Sequence, residues 1–183
     1  MIKPPRTALT WGNFASTRLR APCRKAADLR REFERSLHDG PALQASALAL
    51  ELELISVATD DPHIRARLDT AQNGVRRMLD DMRGLGEMLY PPVLPGAGVG
   101  PAVRAAGERL GLFLTLDVAA EECDGTARSR ICLMIIDHLS TLRPGTAVSV
   151  RVRAGRRLAW VRVTQDAPGE PGPRRHWAVI RCG

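Results

Sequence analysis

The segment "TDDPHIRARLDTAQNGVRRMLDDMRGLGEML", residues 59–89, carries the most regular apolar pattern in the sequence. Asp61 as N-cap and Pro62 at the first helical position predict where a helix begins. A regular a/d seam of the kind found here packs against other helices. The seam alternates four- and three-residue spacing and consists of Ile64, Leu68, Ala71, Val75, Met78, Met82, Leu85 and Leu89.

A second apolar stripe lies before this segment, from Ala26 to about Ala58. The short turn between the two helices predicts an antiparallel hairpin. Because one hairpin cannot bury two wide apolar stripes, we predict a homodimer whose two hairpins form a four-helix bundle. The alternative is a hairpin that packs on the rest of its own chain.

The chain after Leu89 changes character. "YPPVLPGAGVGP", residues 90–101, ends the helix, and a short helix, a strand, a buried helix, a hairpin turning at Ala154 and Gly155, and a last strand follow. The predicted fold is therefore α+β, with a small α/β sandwich behind the helices. We predict a flexible basic lead-in at 1–23, the hairpin at 24–90, a linker at 91–100 and the α/β domain at 101–183.

Composition favours a soluble globular protein, since 44% of the 183 residues are apolar and 26% are charged. The longest uncharged apolar run is residues 131–136, and the first residues lack a signal-peptide pattern. We therefore expect no membrane span and a cytoplasmic location. The four cysteines, Cys23, Cys123, Cys132 and Cys182, lack metal-site spacing, so reduced thiols and no bound metal are expected.

Net charge is +7 and unevenly distributed. Residues 1–36 carry nine basic and three acidic side chains, and residues 151–183 carry eight and two. Basic ends attract polyanions. We interpret these segments as lacking a DNA-binding motif and a run of interleaved aromatic residues, so an acidic protein partner is favoured over nucleic acid.

The first helix contains a candidate nucleophile within "ERSLHDGPALQASALALELELI", residues 34–55. The neutral ring of an exposed histidine can attack phosphorus when an acceptor holds the proton on its other nitrogen. Asp39, next to His38, can be that acceptor. Gly40 leaves space for a phosphoryl donor, and Pro41 loosens the helix. The alternative is an ordinary surface histidine beside an acid.

The same stretch, with "DDPHIRARL", "VRRMLDDMRGLGEML" and "YPPVLPGAGVGPAVRAAGERLGLFLTLDV", resembles the dimerisation and phosphoacceptor region of DesK/NarX-like sensor histidine kinases. The resemblance covers residues 26–118. It implies that His38 is phosphorylated and that Asp39 is its acid/base partner. The family's dephosphorylating glutamine stands five residues after the histidine; here that position is Leu43, and Gln44 follows.

The second half resembles a truncated, degenerate kinase ATP-binding domain. In the family, an asparagine binds Mg²⁺ and an Asp-x-Gly-x-Gly turn binds adenine. Here Asp137 occupies the usual acidic position and Thr141 replaces the asparagine. Gln165 and Ala167 replace the aspartate and first glycine, and Asp166 and Gly169 remain nearby. We expect neither ATP nor Mg²⁺ as a cofactor.

Together these features predict a histidine phosphotransfer protein in a two-component phosphorelay, in which His38 exchanges a phosphoryl group with a receiver aspartate or a partner kinase. Gly40, Pro41 and Gln44 would support the transfer. The alternatives are a sensor histidine kinase with ATP supplied in cis or in trans, and a dimeric interaction module without chemistry.

Overall fold

The computed structural model describes residues 16–182. Its fold is α+β, with helices first and a five-stranded mixed sheet after them. Helix α1 (Arg24–Leu37), a π turn (His38–Ala42) and α2 (Leu43–Ala58) form one continuous helix. Helix α3 (Pro62–Leu89) packs against all three of these segments.

Capping fixes the start of α3 as the sequence predicts. The Asp61 carboxylate accepts hydrogen bonds from the backbone N–H groups of His63 at 2.8 Å and Ile64 at 3.4 Å. These donors have no partner within the helix, so the N-cap satisfies them. The predicted helix boundary at residues 58–62 is therefore confirmed.

The remaining elements are α4 (Leu94–Ala97), α5 (Val99–Arg109), β2 (Phe113–Ala119), α6 (Gly125–Leu139), β3 (Ala147–Ala154), β4 (Leu158–Asp166) and β5 (Arg174–Arg181). Residues 91–100, expected to be a linker, contain α4 and the first turn of α5. Leu94 is buried in the core, which explains why this segment is structured.

The sheet order is β1-β5-β4-β3-β2, where β1 is Ser16–Arg18. β1 pairs with β5 and β2 with β3 in parallel, and the other two pairs are antiparallel. Helices α5 and α6 cover one face. The main core consists of fully buried side chains, among them Ile131, Leu133, Ile135, Leu139, Val150, Val152 and Val163.

Helix α5 approaches β2 closely at Gly107. A Cβ atom at this position would clash with the Leu114 side chain. Only glycine permits this helix-to-strand spacing without displacement of the leucine side chain.

The first described residues depart from the predicted flexible lead-in at 1–23. Residues 16–18 form β1, whose residues pair with Arg175, His176 and Trp177, and Leu19 N donates to the Trp177 carbonyl at 2.8 Å. The partner strand lies at the far end of the chain, so local sequence does not indicate the pairing. Residues 1–15, the rest of that segment, lie outside the described residues.

Two cysteines are bonded, contrary to the expectation of four reduced thiols. Cys123 and Cys182 form a disulfide with a Cα–Cα distance of 4.5 Å. The end of β5 returns beside the start of α6, which brings together two cysteines 59 residues apart. Cys132 is buried, and burial raises the pKa of its thiol to about 12.

One continuous helix, Arg24–Ala58, is long and apolar enough to cross a membrane by length and composition. This is weak evidence for a span, because a helix that packs its apolar side chains into a bundle meets the same criterion. Glu51 and Glu53 interrupt its apolar half.

Candidate functional site

Proline creates the π turn at the centre of the first helix. In a regular α-helix, residue 41 would donate its N–H to the Leu37 carbonyl, but Pro41 has no N–H and its ring clashes with that carbonyl. The chain widens into π geometry over His38–Ala42 and resumes as α2. Such turns often occur at functional sites.

His38 and Asp39 lie at the start of this turn and face solvent. Their side chains are 79% and 67% exposed. His38 Nδ1 lies 3.1 Å from Asp39 Oδ1. When Nδ1 carries the ring proton and donates it to the carboxylate, Nε2 carries a free lone pair. The arrangement thus presents one ring nitrogen as a nucleophile.

A groove of about 260 Å³ adjoins His38. Its other walls come from α1, the π turn, α3 and the segment after α3, and include Glu34, Met82, Arg83 and Pro92. Arg83 also pairs with Asp80 at 2.8 Å. A large partner therefore has access to His38 along an open surface.

The other predicted supporting residues lie on the same turn or just after it. A Cβ atom on Gly40 would meet no atom within 4 Å, so the room at this position faces outward. Leu43 and Gln44 are both exposed on the first turn of α2. No contact in the described part of the chain joins Gln44 to His38.

The positions that resemble a nucleotide site gather at one end of the α/β unit. Gln165 is buried, and its Oε1 lies 2.9 Å from His138 Nε2 at the end of α6. Thr141 donates to the His138 carbonyl at 2.7 Å, while Asp166 is exposed at the end of β4. Gly169, with φ of +84°, lies in the short connection 167–173 to β5.

Asp137 lies apart from this group because it binds another helix. Arg30 Nη1 on α1 donates to both of its carboxylate oxygens, at 2.8 and 3.1 Å. Sequence reasoning selected Asp137 but missed its partner, which is 107 residues away.

A pair of histidines beside Gln165 was also missed. The rings of His138 and His176 lie 4.4 Å apart between centroids. Burial lowers the pKa of His138, against the effect of its Gln165 hydrogen bond. Burial, then the charges of His138 and Arg174, lower the pKa of His176. Both shifts favour the neutral form of the ring. Across residues 16–182, no group of three or more His, Cys, Asp or Glu side chains could hold a metal ion.

Residues 30–94 match the family model HisKA_3, described as histidine kinase. The match includes His38, Asp39, α2 and α3, and over these residues the chain is similar to histidine kinases of the NarX/DesK-like type. It indicates a phosphoacceptor and dimerisation domain of two-component signalling, in a family that interacts with response regulators. The match does not extend to the sheet. No curated protein matches the chain.

Proposed function

We propose that this protein is a dimeric histidine phosphotransferase, in which His38 exchanges a phosphoryl group with the aspartate of a response-regulator receiver domain. The observation that carries the proposal is the exposed His38 ring with Nδ1 next to the Asp39 carboxylate. The histidine-kinase match over the same residues supports it.

The proposed transfer joins the His38 ring to the phosphoryl group of the receiver. Nε2 of His38 attacks the phosphorus of the receiver's aspartyl phosphate. The new N–P bond forms as the P–O bond to the receiver carboxylate breaks, and that carboxylate leaves with the bonding electrons. The proton on Nδ1 stays on the ring, where Asp39 stabilises the positive charge. The reverse reaction follows the same path.

Exposed apolar side chains support the dimer. Of the predicted seam, only Val75 is buried within the single chain, while Ile64, Met78 and Leu85 stay exposed. Helix α2 adds Leu50 and Leu54, the latter 71% exposed. A second copy would cover these side chains in a four-helix bundle, and burial of this kind contributes about 25 cal/mol per Å² of apolar surface.

The π turn bears on the role of Gln44. The backbone hydrogen bond of a π turn spans five residues, whereas that of an α turn spans four, so a π turn holds one extra residue. Gln44, six residues after His38, therefore takes the angular position that a fifth residue has in a regular helix. We infer that Gln44 faces the incoming receiver and supports the transfer or the hydrolysis of its phosphoryl group.

The end of the α/β unit that contains Gln165 and His138 supports the proposal that the phosphoryl group comes from a donor other than ATP bound by the same chain. Gln165, at the adenine-binding position, is occupied by its hydrogen bond to His138. The connection between β4 and β5 is short, residues 167–173. A degenerate nucleotide domain is therefore part of the proposal.

The test supplies two phosphoryl donors to the purified protein: γ-labelled ATP with Mg²⁺, and receiver domains charged with labelled phosphate. Acid-labile, base-stable label is scored on the wild type, on His38→Ala and on Asp39→Ala. His63→Ala is the matched control, because His63 is another exposed helical histidine.

We expect label from receiver domains on the wild type and the His63 variant, none on His38→Ala, and slower labelling of Asp39→Ala. Label from ATP alone would instead identify a sensor kinase that binds its own nucleotide. The protein could also remain unlabelled with both donors and with a separate kinase added together with ATP. That result would indicate an interaction module that transfers no phosphoryl group.

A further inference from the structure

The outer face of the sheet, opposite α5 and α6, is rich in arginine and tryptophan. Alternate residues of β3, β4 and β5 point away from the helices, as the burial pattern of these strands indicates. We call this surface the arginine–tryptophan face. It comprises Arg18, Arg151, Arg153, Trp160, Arg162, Arg175, Trp177 and Arg181.

Strand register places the two indoles next to each other. Trp177 is opposite Arg162, and Trp160 is opposite Val179, two residues along β5. Such diagonal neighbours are about 7–8 Å apart. Trp160 is 58% exposed and Trp177 is 38% exposed. Both line an open groove of about 480 Å³, together with four of the arginines.

The face keeps a positive charge despite its acidic residues. Asp117 on β2 pairs with Arg151 at 3.0 Å and Arg153 at 2.5 Å. Its pKa is lowered, chiefly by the Arg153 hydrogen bond, so it stays ionised. Within residues 16–182, no acidic side chain pairs with Arg162. The Arg18 guanidinium lies over the Trp177 ring, 5.6 Å from its centroid.

We propose that the arginine–tryptophan face binds single-stranded nucleic acid, with bases stacked on Trp160 and Trp177 and phosphates held by the surrounding arginines. Sheet surfaces with aromatic residues on adjacent strands bind unstacked bases in this way, and a positive groove follows the backbone. The activity is separate from phosphotransfer at His38.

The tryptophans favour nucleic acid over an acidic protein. Carboxylates of an acidic peptide would pair with the arginines but supply no aromatic ring to stack on the two indoles. Single-stranded nucleic acid alternates phosphates with aromatic bases and so complements both residue types. Residues 1–15 carry two basic and no acidic side chains, so their charge does not complement this face.

The experiment measures fluorescence anisotropy of a labelled oligothymidylate of about 12 nucleotides on titration with the full chain at about 0.15 M salt. Trp160→Leu and Trp177→Leu should each weaken binding about 5- to 150-fold, the range expected for loss of one stacked base. Arg162→Gln should weaken binding and reduce its salt dependence. Arg104→Gln, on the exposed side of α5, is the matched control and should bind as the wild type does.

Competition separates the possible partners. We expect unlabelled oligothymidylate to displace the probe and polyglutamate of equal charge to fail. Equal displacement by polyglutamate would assign the face to an acidic protein and overturn the proposal. Absence of binding, or binding unaffected by both tryptophan substitutions in variants with wild-type circular dichroism, would also overturn it.

Discussion

Arg30 on α1 and Asp137 on α6 form an ion pair in which one guanidinium nitrogen donates to both carboxylate oxygens, at 2.8 and 3.1 Å. The pair joins the helix that carries His38 to the helix that lies under the sheet. Arg130 adds a second link, because its Nε donates to the Pro22 carbonyl at 2.7 Å. Ala27, on the same face of α1, is buried in the core.

Asp137→Asn should loosen α1 from α6. Because the pair is partly exposed, we expect a loss of less than about 1 kcal/mol in the free energy of unfolding. Amide exchange in α1 should nevertheless accelerate, measured by mass spectrometry. Asp80→Asn is the matched control, since it breaks an exposed pair within α3 alone. Unchanged exchange in α1 of the Asp137 variant would contradict the role of this pair.

Pro41→Ala should convert the π turn to regular α-helix. Alanine restores the missing N–H and removes the ring, so the free energy of unfolding should rise by about 1 kcal/mol or more. The one-residue change in helical register should rotate Gln44 away and slow phosphotransfer. Urea unfolding, backbone chemical shifts and transfer rates measure these effects. Leu43→Ala, which keeps the proline, is the control; an unchanged transfer rate in a regular helix would remove the π turn from the mechanism.

Leu68→Asp combined with Leu85→Asp should produce a monomer. Two carboxylates in the proposed dimer core would have to be desolvated without partners. Light scattering measures the mass, and circular dichroism checks that the helices persist. Asn73→Asp, at an exposed position of α3 outside the seam, should remain dimeric. A dimer that survives the double change would refute the bundle.

Acid should destabilise the protein through His138 and His176. Both pKa values are lowered in the folded state, chiefly by burial, so folding favours the neutral rings. The stabilisation is complete above the unfolded pKa of about 6.5 and is lost as pH falls below it. The melting temperature should therefore drop more from about pH 7.5 to about pH 5 in the wild type than in His176→Phe. His63→Phe should keep the wild-type slope; equal slopes in all three proteins would contradict the prediction.

The sequence was sufficient to predict the elements that are determined by residues close together along the chain. The helix end at Ala58, the N-cap at Asp61 and the strands β2 to β5 follow from periodicity and turn residues. His38 and Asp39 could be selected from the sequence because they are adjacent, so that their side-chain contact depends on one helix turn. Pro41 was expected to loosen the helix, and the structure specifies a π turn.

Features that depend on distant residues could not be read from the sequence. Cys123 meets Cys182 only after β5 is in place. Trp160 and Trp177 become neighbours only through the pairing of β4 with β5. The expectation against nucleic acid considered residues along the chain alone, whereas the register of the sheet determines which side chains share a surface.

The pairing of β1 with β5 has a consequence for the order of folding. Ser16 pairs with Arg175, so one edge of the sheet joins nearly opposite ends of the described chain. On the ribosome, β1 must wait until residues 175–177 have been synthesised before its partner exists. The helical hairpin, built from short-range contacts, can form long before that. Closure of this edge should therefore be the last event in folding.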